Sequence, residues 1–368
     1  MMSNIPVTLK WIPFLFLLIG CGSDSEVDLP SGETENEVVG PVEYYGNTQG
    51  TTYAVICNDP ITLSHDEIDQ TLSDFDQALS TYISESVISQ LNNQGAGLFT
   101  YRDSNDYFNR CYAAAQEVYQ KTKGAFDPTI YPLVDGWGFM KNDEFVPDSA
   151  TVDSLRTLLS FTNGYHFTLE QEQLKQDSIE QFQITKHTLG AKLDFNAIAQ
   201  GLAVDVLAEL IEANGGENYF VEIGGEIRVN GVNSEGLVWK IGIDKPIENS
   251  TAENRVIQEV VEIKNKSIAT SGSYRKFYER NGIKYSHTID PRTGYPVQHS
   301  LLSVTVVADD CAKADAMATA FMVMGTEKSK EWLKNNPKEK IEAYFIFIND
   351  YDEYEVYYTP AFGKMILL

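Results

Sequence analysis

An acid and a hydroxyl lie one helical turn apart in one apolar segment of the chain. Asp315 and Thr319 are four residues apart, a spacing that places both side chains on one face of a helix, and alanine, methionine and phenylalanine surround them. A helix that is apolar almost all round is buried, and a buried carboxylate is costly unless it is paired or binds a cation. The two oxygens therefore suit Mg²⁺, which prefers oxygen ligands. Alternatively, Asp315 caps a nearby loop and Thr319 bonds back to its own helix.

A second segment, residues 194–201 (DFNAIAQG), has the composition of a junction between a strand and a helix. We predict Asn196 as the N-cap of a helix over residues 197–213, which Gly215 and Gly216 end. Free N–H groups and the positive dipole end of such a helix favour phosphate binding. Small residues at this kind of junction also serve close packing alone, so the phosphate and packing interpretations both remain at this point.

Hydroxyl groups, a glycine and an arginine are clustered in residues 267–275 (SIATSGSYR), and a histidine follows in residues 286–294 (SHTIDPRTG). The latter segment ends in a turn signature, because proline fixes one backbone angle and glycine supplies a positive φ. His287, on the strand before that turn, is a candidate base or ligand. A structural histidine is the alternative, because no second histidine stands at the spacing of a metal-binding pair.

The N-terminus has the features of a secretory leader. Lys10 precedes an apolar run over residues 11–19, which is much shorter than the ~20 residues that a bilayer-spanning helix needs. The run is closed by Gly20 and Cys21, and the sequence LIGC resembles a bacterial lipobox, in which the cysteine after the cut is acylated. We therefore predict a signal peptide over residues 1–20, an acylated Cys21, and lipid anchoring at the periplasmic face of a membrane of the bacterial cell envelope. A Sec leader with an incidental cysteine is the alternative.

Composition narrows the possible partners and the means of holding the fold. Residues 21–41 are predicted to be an acidic, flexible tether, because they lack the apolar surface that would offset the entropy of ordering. The chain carries 53 acidic and 28 basic residues, a formal charge of −25, which argues against a nucleic-acid partner and favours a local cation beside any diphosphate substrate. Cys57, Cys111 and Cys311 cannot form a complete disulfide framework, so we expect hydrophobic packing to hold the fold.

Hydrophobic spacing predicts a mixture of helices and antiparallel strand pairs, an α+β fold. Residues 125–139, with two prolines and two glycines, are predicted to be a long loop without a regular element, and residues 143–177 a small helical and loop insertion. Helices are predicted at residues 68–79, 107–123, 197–213 and 311–323. Strands are predicted at residues 219–223, 226–231, 237–243, 256–263, 267–270, 284–289 and 302–307, with a final hairpin at 342–348 and 354–358.

Five separated motifs together resemble the ApbE flavin transferases. They are the turn 48–52 (TQGTT), the loop 126–139 and the segments 194–201, 267–294 and 311–325, in family order from about residue 45 to residue 325. The resemblance implies an ApbE-like fold, with two intimately joined lobes of mixed and antiparallel sheet and flanking helices, over residues 42–368. This sequence differs from many relatives in having Gln49 in place of a methionine and Gln200 in place of a lysine or glutamate.

The resemblance also implies the ligand contacts. Mg²⁺ would be held by the side chains of Asp315 and Thr319 and by the backbone oxygen of Ala197. His287 or a ligating aspartate, Asp315, would take the proton of the attacking hydroxyl, and we favour His287 because histidine suits a base near neutral pH. The residues predicted to lie against FAD are Gln49, Tyr82, Trp137, Gly138, Phe139, Asp194, Gln200 and Ile289.

The activity that the resemblance implies is Mg²⁺-dependent transfer of FMN from FAD to a threonine or serine hydroxyl of an acceptor protein, with release of AMP. Subunits of membrane redox complexes, of the sodium-pumping NADH:quinone reductase or Rnf type, are the implied acceptors. Two alternatives are kept: a Mg²⁺-dependent FAD pyrophosphatase that gives FMN and AMP, and a lipoprotein that binds FAD without catalysis. Incubation with FAD, Mg²⁺ and an acceptor distinguishes the three by covalent flavin on the acceptor, free FMN or unchanged FAD.

Overall fold

A computed structural model describes residues 40–139, 145–170, 174–176, 179–247, 254–273, 277–280, 283–349 and 351–367 of the protein. The predicted signal peptide, Cys21 and the tether up to residue 39 lie outside these residues. Residues 40 and 41, which the sequence assigns to the tether, begin the first strand. Within the described residues, no helix is both long enough and apolar enough to cross a bilayer.

Helices and strands are mixed along the described part of the chain, and ten strands lie between the sixth and the seventh helix. The helices are α1 His65–Leu79, α2 Val87–Asn93, α3 Tyr107–Thr122, α4 Tyr131–Gly136, α5 Ser149–Arg156, α6 Ala199–Ala213 and α7 Cys311–Asn335. The strands are β1 Gly40–Thr48, β2 Thr51–Ile61, β3 Gly97–Tyr101, β4 Phe167–Leu169, β5 Leu174–Gln176, β6 Ile179–Lys186, β7 Tyr219–Ile223, β8 Glu226–Asn230, β9 Trp239–Asp244, β10 Ile257–Ile263, β11 Lys266–Gly272, β12 Phe277–Arg280, β13 Ile283–Ser286, β14 Ile289–Asp290, β15 Tyr295–Pro296, β16 Leu301–Ala308, β17 Glu342–Ile348 and β18 Tyr354–Tyr358.

Eight strands form the central antiparallel sheet, in the order β1-β2-β7-β8-β11-β16-β17-β18. Buried and half-buried residues alternate along β7, because successive side chains of a strand point to opposite faces. Tyr219, Val221 and Ile223 belong to the large hydrophobic core beside the helices, whereas Phe220 packs against a smaller core with residues of β9 and β10. Helices therefore cover one face of the sheet, and the antiparallel pair β9–β10 covers the other.

A second antiparallel sheet consists of β3, β6 and β4, with β5 also paired to β6. The Tyr101 ring stacks on those of Phe99 and Phe182, with centroids 5.7 and 5.8 Å apart. It also contacts Phe108 of α3 at 5.1 Å, which joins this sheet to the large core. The predicted α+β fold with intimately joined, antiparallel lobes is confirmed.

The segment 125–139 is not the structureless loop that its prolines and glycines predict. It contains a 3₁₀ turn, Pro128–Ile130, followed directly by α4. Its prolines stand at the first or second position of these helices, where the backbone N–H has no helical partner to lose. Asp127 begins the segment by accepting hydrogen bonds from the N–H and the hydroxyl of Thr129, at 2.8 and 2.5 Å.

Four other predictions need correction. Helix α6 begins at Ala199, and its N-cap is Ile198 rather than Asn196, because the N–H groups of Ile198 and Ala199 first close a turn on the carbonyl of Phe195. Helix α7 continues to Asn335, past a break at Gly325, where glycine permits φ 74° and ψ 171°. The strand predicted at 284–289 is divided into β13 and β14, and the insertion at 143–177 contains strands β4 and β5 besides α5.

The substitution Asp127→Asn should change how stability depends on pH. Burial raises the pKa of Asp127 from 3.8 to about 6, so the folded protein holds this proton more tightly than the unfolded chain does. The stability that this protonation contributes is complete below about pH 4 and is lost as the pH rises through about 6. At about 1.4 kcal/mol per pKa unit, the wild-type protein should lose about 2 kcal/mol of unfolding free energy relative to Asp127→Asn between pH 4 and 7.

Urea unfolding of both proteins across this pH range measures the difference. The asparagine can still accept both hydrogen bonds from Thr129, so the comparison isolates the charge. Unfolding free energies that run parallel across the pH range would contradict the buried, proton-binding state of Asp127.

Candidate active site

Helices α6 and α7 meet at Gly201, a position that only a residue without a Cβ can occupy. The N–H of Gly201 donates to Oδ2 of Asp315 at 3.1 Å, and both residues are buried. A Cβ on Gly201 would lie 2.4 Å from the carbonyl oxygen of Cys311 and 2.9 Å from the Cβ of Asp315. Gly201, a small residue of segment 194–201, therefore permits close packing of the two helices. This packing places the Asp315 carboxylate beside the first turn of α6.

The predicted backbone ligand, Ala197, lies two residues before the first residue of α6. The N–H of Leu202 bonds back to the carbonyl of Ile198 at 3.0 Å, as at an ordinary helix start. The next amide toward the N-terminus, that of Gly201, is one of the amides that have no partner within the helix, and it donates to Asp315. The Asp315 carboxylate therefore accepts an amide of the helical turn that follows Ala197.

Thr319 completes a set of hard oxygen donors on α7. Its hydroxyl lies 3.2 Å from Oγ of Ser271 on β11. The Asp315 carboxylate accepts an amide at a helix start, so the capping role that was the alternative to a metal ligand stays open for this residue. Burial raises the pKa of the Asp315 carboxyl, and the Gly201 N–H lowers it only in part. A buried carboxylate, a hydroxyl and a main-chain carbonyl fit the oxygen preference of Mg²⁺, and a cation there would favour the charged form of Asp315.

Asp205 holds the start of α7, a role that the sequence analysis missed. Its carboxylate, on the buried face of α6, accepts the N–H groups of Cys311 and Ala312 at 2.9 Å and pairs with Arg228 of β8 at 2.9 Å. Burial raises the pKa of Asp205 to about 6 despite these partners. The available signal was a single acid inside the apolar stretch GLAVDVLA of residues 201–208, which is as unusual as Asp315 itself.

Two turns of the central sheet border the start of α6. The side-chain amide of Gln200 donates to the carbonyl of Ile223 at 3.0 Å. A Cβ on Gly224, whose φ is 61°, would lie 1.9 Å from Nε2 of Gln200 and 2.8 Å from Cγ2 of Thr51. The turn between β7 and β8, the start of β2 and the start of α6 are therefore in contact, and Gln200 anchors them.

The turn between β1 and β2 holds the first of the residues predicted to contact FAD. Gln49 has a φ of 50°, and its side chain forms a hydrogen bond with Asp76 of α1. That bond lowers the pKa of Asp76, whereas burial, the larger cause, raises it. Tyr82 follows α1 and is 78% exposed, with no ring contact among the described residues. The structure thus does not join Tyr82 to the α6–α7 contact.

Trp137 and Ile289 belong to a separate hydrophobic cluster around α4 and α5. The indole N–H of Trp137 donates to the carbonyl of Gly294 at 2.8 Å, which ties α4 to the β14–β15 hairpin. Phe139 is half-buried against this cluster and Gly138 has a φ of 81°. Trp137 and Ile289 are almost fully buried, so they support this cluster from inside. We call the surface of the cluster, which includes Phe139, the α4–α5 wall.

Two connections link the α4–α5 wall to the α6–α7 contact. The N–H of Asp194 donates to the carbonyl of Pro128 at 2.7 Å, so the segment before α6 lies beside the segment before α4. Burial raises the pKa of the Asp194 carboxyl. The other connection is β14, which packs against α7 and begins two residues after His287. His287 is half-buried at the foot of the hairpin.

No group of three or more histidine, cysteine, aspartate or glutamate side chains suited to a metal ion occurs among the residues that the structure describes. The buried cysteines 57, 111 and 311 are free thiols, in agreement with the absence of a disulfide framework predicted from the sequence. The predicted ligand set has one carboxylate, one hydroxyl and one carbonyl, so it does not require such a group.

Comparisons with known proteins agree with this arrangement. The ApbE family model matches residues 49–345. An FAD:protein FMN transferase of Vibrio cholerae is 36% identical over 324 residues, covering 85% of this chain and 86% of the relative, and one of Escherichia coli K12 is 33% identical, covering 79% and 78%. The solved flavin transferase ApbE from Vibrio cholerae has a TM-score of 0.74 at 33% identity, covering 89% of this chain and 99% of that one. The apo flavinyl transferase ApbE of Pseudomonas stutzeri has a TM-score of 0.71 at 30% identity, covering 89% and 97%.

Fold and site together define an enzyme of the transferase class, built on joined antiparallel sheets with its polar groups at the start of two packed helices. The chain belongs to the ApbE family. The family, the fold and the enzyme class predicted from the sequence are confirmed. The individual contacts to FAD and to a metal stay predictions.

The substitution Gly201→Ala should destabilise the protein by separating α6 from α7. Overpacking of this kind costs about 1–3 kcal/mol, which should outweigh the gain of about 1 kcal/mol that alanine brings to a helix. Urea unfolding measures the change, with Gly95→Ala as the matched control, because a Cβ at Gly95 meets no atom within 4 Å. If the two variants were equally stable, the close approach at Gly201 would be wrong.

Proposed function

We propose that this protein transfers FMN from FAD to a threonine or serine hydroxyl of an acceptor protein in a Mg²⁺-dependent reaction that releases AMP. The observation that carries the proposal is the contact between Gly201 and Asp315, which sets a buried carboxylate at the start of α6. The names of the relatives support the same activity, since those from Vibrio cholerae and Escherichia coli are called FAD:protein FMN transferases.

The residues of α6 and α7 account for binding of the diphosphate. Asp315, Thr319 and the carbonyl of Ala197 would hold Mg²⁺, which when bound neutralises diphosphate charge and charge developing on the leaving phosphate. The positive end of the α6 dipole would face the same phosphates. Its first-turn amides are mostly engaged within the protein, since those of Ala199, Gly201 and Leu202 donate to Phe195, Asp315 and Ile198, so the free N–H groups expected from the sequence are not what the structure has. A protein with a formal charge of −25 would otherwise repel such a substrate, so these few groups have to supply the local attraction.

The transfer step forms one bond and breaks one bond at phosphorus. The acceptor hydroxyl oxygen bonds to the FMN-side phosphorus, the bond from that phosphorus to the bridging oxygen breaks, and AMP leaves with the bridging oxygen. The hydroxyl proton goes to a base, for which we propose His287 at the foot of the β14–β15 hairpin. Positioning is the main contribution of the protein in such reactions, and the hairpin is positioned by Trp137 through Gly294.

We further propose that FAD lies against Gln49, Tyr82, Gly138, Phe139, Asp194 and Gln200, with Trp137 and Ile289 supporting the pocket wall from within. Acylation of Cys21 would tether the enzyme to the periplasmic face of a membrane of the cell envelope. The acceptors would then be subunits of membrane redox complexes, of the sodium-pumping NADH:quinone reductase or Rnf type.

The substitution Asp315→Asn should abolish transfer and leave the fold intact. The asparagine oxygen can still accept the Gly201 N–H, but the charge that favours Mg²⁺ is gone, so the rate should fall by at least about a hundredfold. Covalent flavin on an acceptor domain, detected by mass after incubation with FAD and Mg²⁺, measures this. Asp315→Asn that still flavinylates the acceptor at the wild-type rate would contradict the metal assignment.

The matched control is Asp205→Asn, the other buried acid of the two helices. It breaks the ion pair with Arg228, so we expect a loss of about 3–5 kcal/mol in unfolding free energy, which Asp315→Asn does not share.

Free FMN or unchanged FAD from the wild-type enzyme, in place of labelled acceptor, would instead favour a pyrophosphatase or a binding protein.

The substitution Ser271→Ala should weaken Mg²⁺ binding through Thr319. The two hydroxyls are 3.2 Å apart, and the loss of a partner that orients a metal ligand typically weakens metal binding by about 10–100-fold. The Mg²⁺ concentration for half-maximal transfer measures the effect. Ser267→Ala on the same strand is the control, because its hydroxyl has no hydrogen-bond partner among the described residues. An unchanged Mg²⁺ requirement in Ser271→Ala would remove Ser271 from the site.

A further inference from the structure

The imidazole of His299 contacts the helix that carries Asp315 and Thr319. Its Nε2 lies 2.7 Å from the carbonyl oxygen of Met322 in α7. Because a carbonyl can only accept, the Nε2 atom must carry the proton that it donates. Met322 is three residues beyond Thr319, which is less than one helical turn. His299 thus bonds to the main chain of α7 within one helical turn of Thr319, the nearer of the two proposed side-chain metal ligands on this helix.

A break in α7 makes room for this ring. Gly325 has φ 74° and ψ 171°, and a Cβ there would lie 3.1 Å from Cδ2 of His299. Any other residue would be strained by this backbone conformation and would also crowd the imidazole. The helix continues beyond the break, where the Ser329 hydroxyl donates to the carbonyl of Gly325 at 2.7 Å. The break is therefore a local feature at His299 rather than the end of the helix.

His299 also belongs to the segment that leaves the β14–β15 hairpin. The N–H of Val297 donates to the carbonyl of Thr288 at 2.9 Å, so the main chain two residues before His299 is bonded to the main chain next to His287. The same hairpin packs against α7 through β14. The hydrogen bond from His299 to Met322 therefore joins the stem of the hairpin to the backbone of α7.

We propose that His299 is a positioning residue, which fixes the distance between the metal-binding part of α7 and the hairpin that carries His287. This inference rests on the proposed function. In that reaction the phosphorus is held from α6 and α7, and the hydroxyl proton leaves toward the hairpin. The two elements must therefore meet accurately while the new bond forms, since a misplacement of about 1 Å can cost roughly a hundredfold in rate.

A role in alignment predicts a specific kinetic pattern. Mg²⁺ is held from α6 and α7, so its affinity should not depend on His299. The loss should appear in kcat for transfer, whereas the Mg²⁺ requirement and the KM for FAD should stay within about twofold, because a group that only aligns the reacting elements acts on the transition state. A merely structural residue would instead lower stability, and a residue that binds the acceptor would raise the KM for the acceptor.

The test compares His299→Gln with His299→Asn in the full-length enzyme. The glutamine amide nitrogen reaches the position of the imidazole Nε2, whereas the asparagine amide nitrogen reaches only that of Nδ1. We expect His299→Gln to retain kcat within about threefold and His299→Asn to lose about ten- to a hundredfold. His187→Gln and His187→Asn are the matched controls, because His187 is also an exposed histidine whose Nε2 is hydrogen-bonded, to Thr168 at 2.8 Å, and should give unchanged kcat.

Each outcome decides between alternatives. Equal kcat for wild type and His299→Asn overturns the inference, as does a raised KM for the acceptor with kcat unchanged. Equal losses in the glutamine and asparagine variants also overturn it, because the hydrogen bond would then not be the cause. If the wild-type enzyme itself leaves the acceptor unlabelled, the proposed function fails, which is distinguishable from a failure of the role of His299.

Discussion

The structure depends on a reciprocal contact between two helices, in which each supplies a buried aspartate to the start of the other. Asp205 of α6 accepts the first amides of α7, and Asp315 of α7 accepts the amide of Gly201 in the first turn of α6. Amides at a helix start have no partner within the helix, so carboxylates are stabilised there by hydrogen bonds and by the dipole. The contact requires a glycine at position 201, and this fixes where the two predicted oxygen ligands of α7 lie.

The two buried aspartates differ in what compensates their charge. Asp205 has two amides and the guanidinium of Arg228, a set that makes it structural. For Asp315, among the described residues, the Gly201 N–H is the one hydrogen bond that favours the charged form. A carboxylate with so little compensation is unfavourable in a fold, and a site that gathers a cation with its substrate gives a reason for keeping it. Because the chain is so acidic, the same cation would also offset the electrostatic repulsion between the protein and a bound diphosphate.

Much of the site could be predicted from the sequence, but its supporting contacts could not. The spacing of Asp315 and Thr319 places both side chains on one face of α7. The alternation of residues in β7 likewise determines which side chains point to each face of the sheet. Both features are local, so the sequence alone predicts them. Asn196 has the chemistry of an N-cap, yet the helix starts later, because a turn that closes on the carbonyl of Phe195 comes first and the residue types do not specify it. The role of Asp205 and the bond between Ser271 and Thr319 join residues more than 45 positions apart, and no local pattern specifies such pairs. Short helices with prolines at their first positions were mistaken for loop because the same residues begin both.

The most direct measurement is the position of a divalent cation in crystals grown with FAD and Mn²⁺, located by its anomalous scattering. The account predicts one peak within coordination distance of the Asp315 carboxylate and the Thr319 hydroxyl, with the flavin dinucleotide diphosphate on its open side and the start of α6 beside it. A peak that is held by other residues, or FAD bound with no cation next to Asp315, would contradict it.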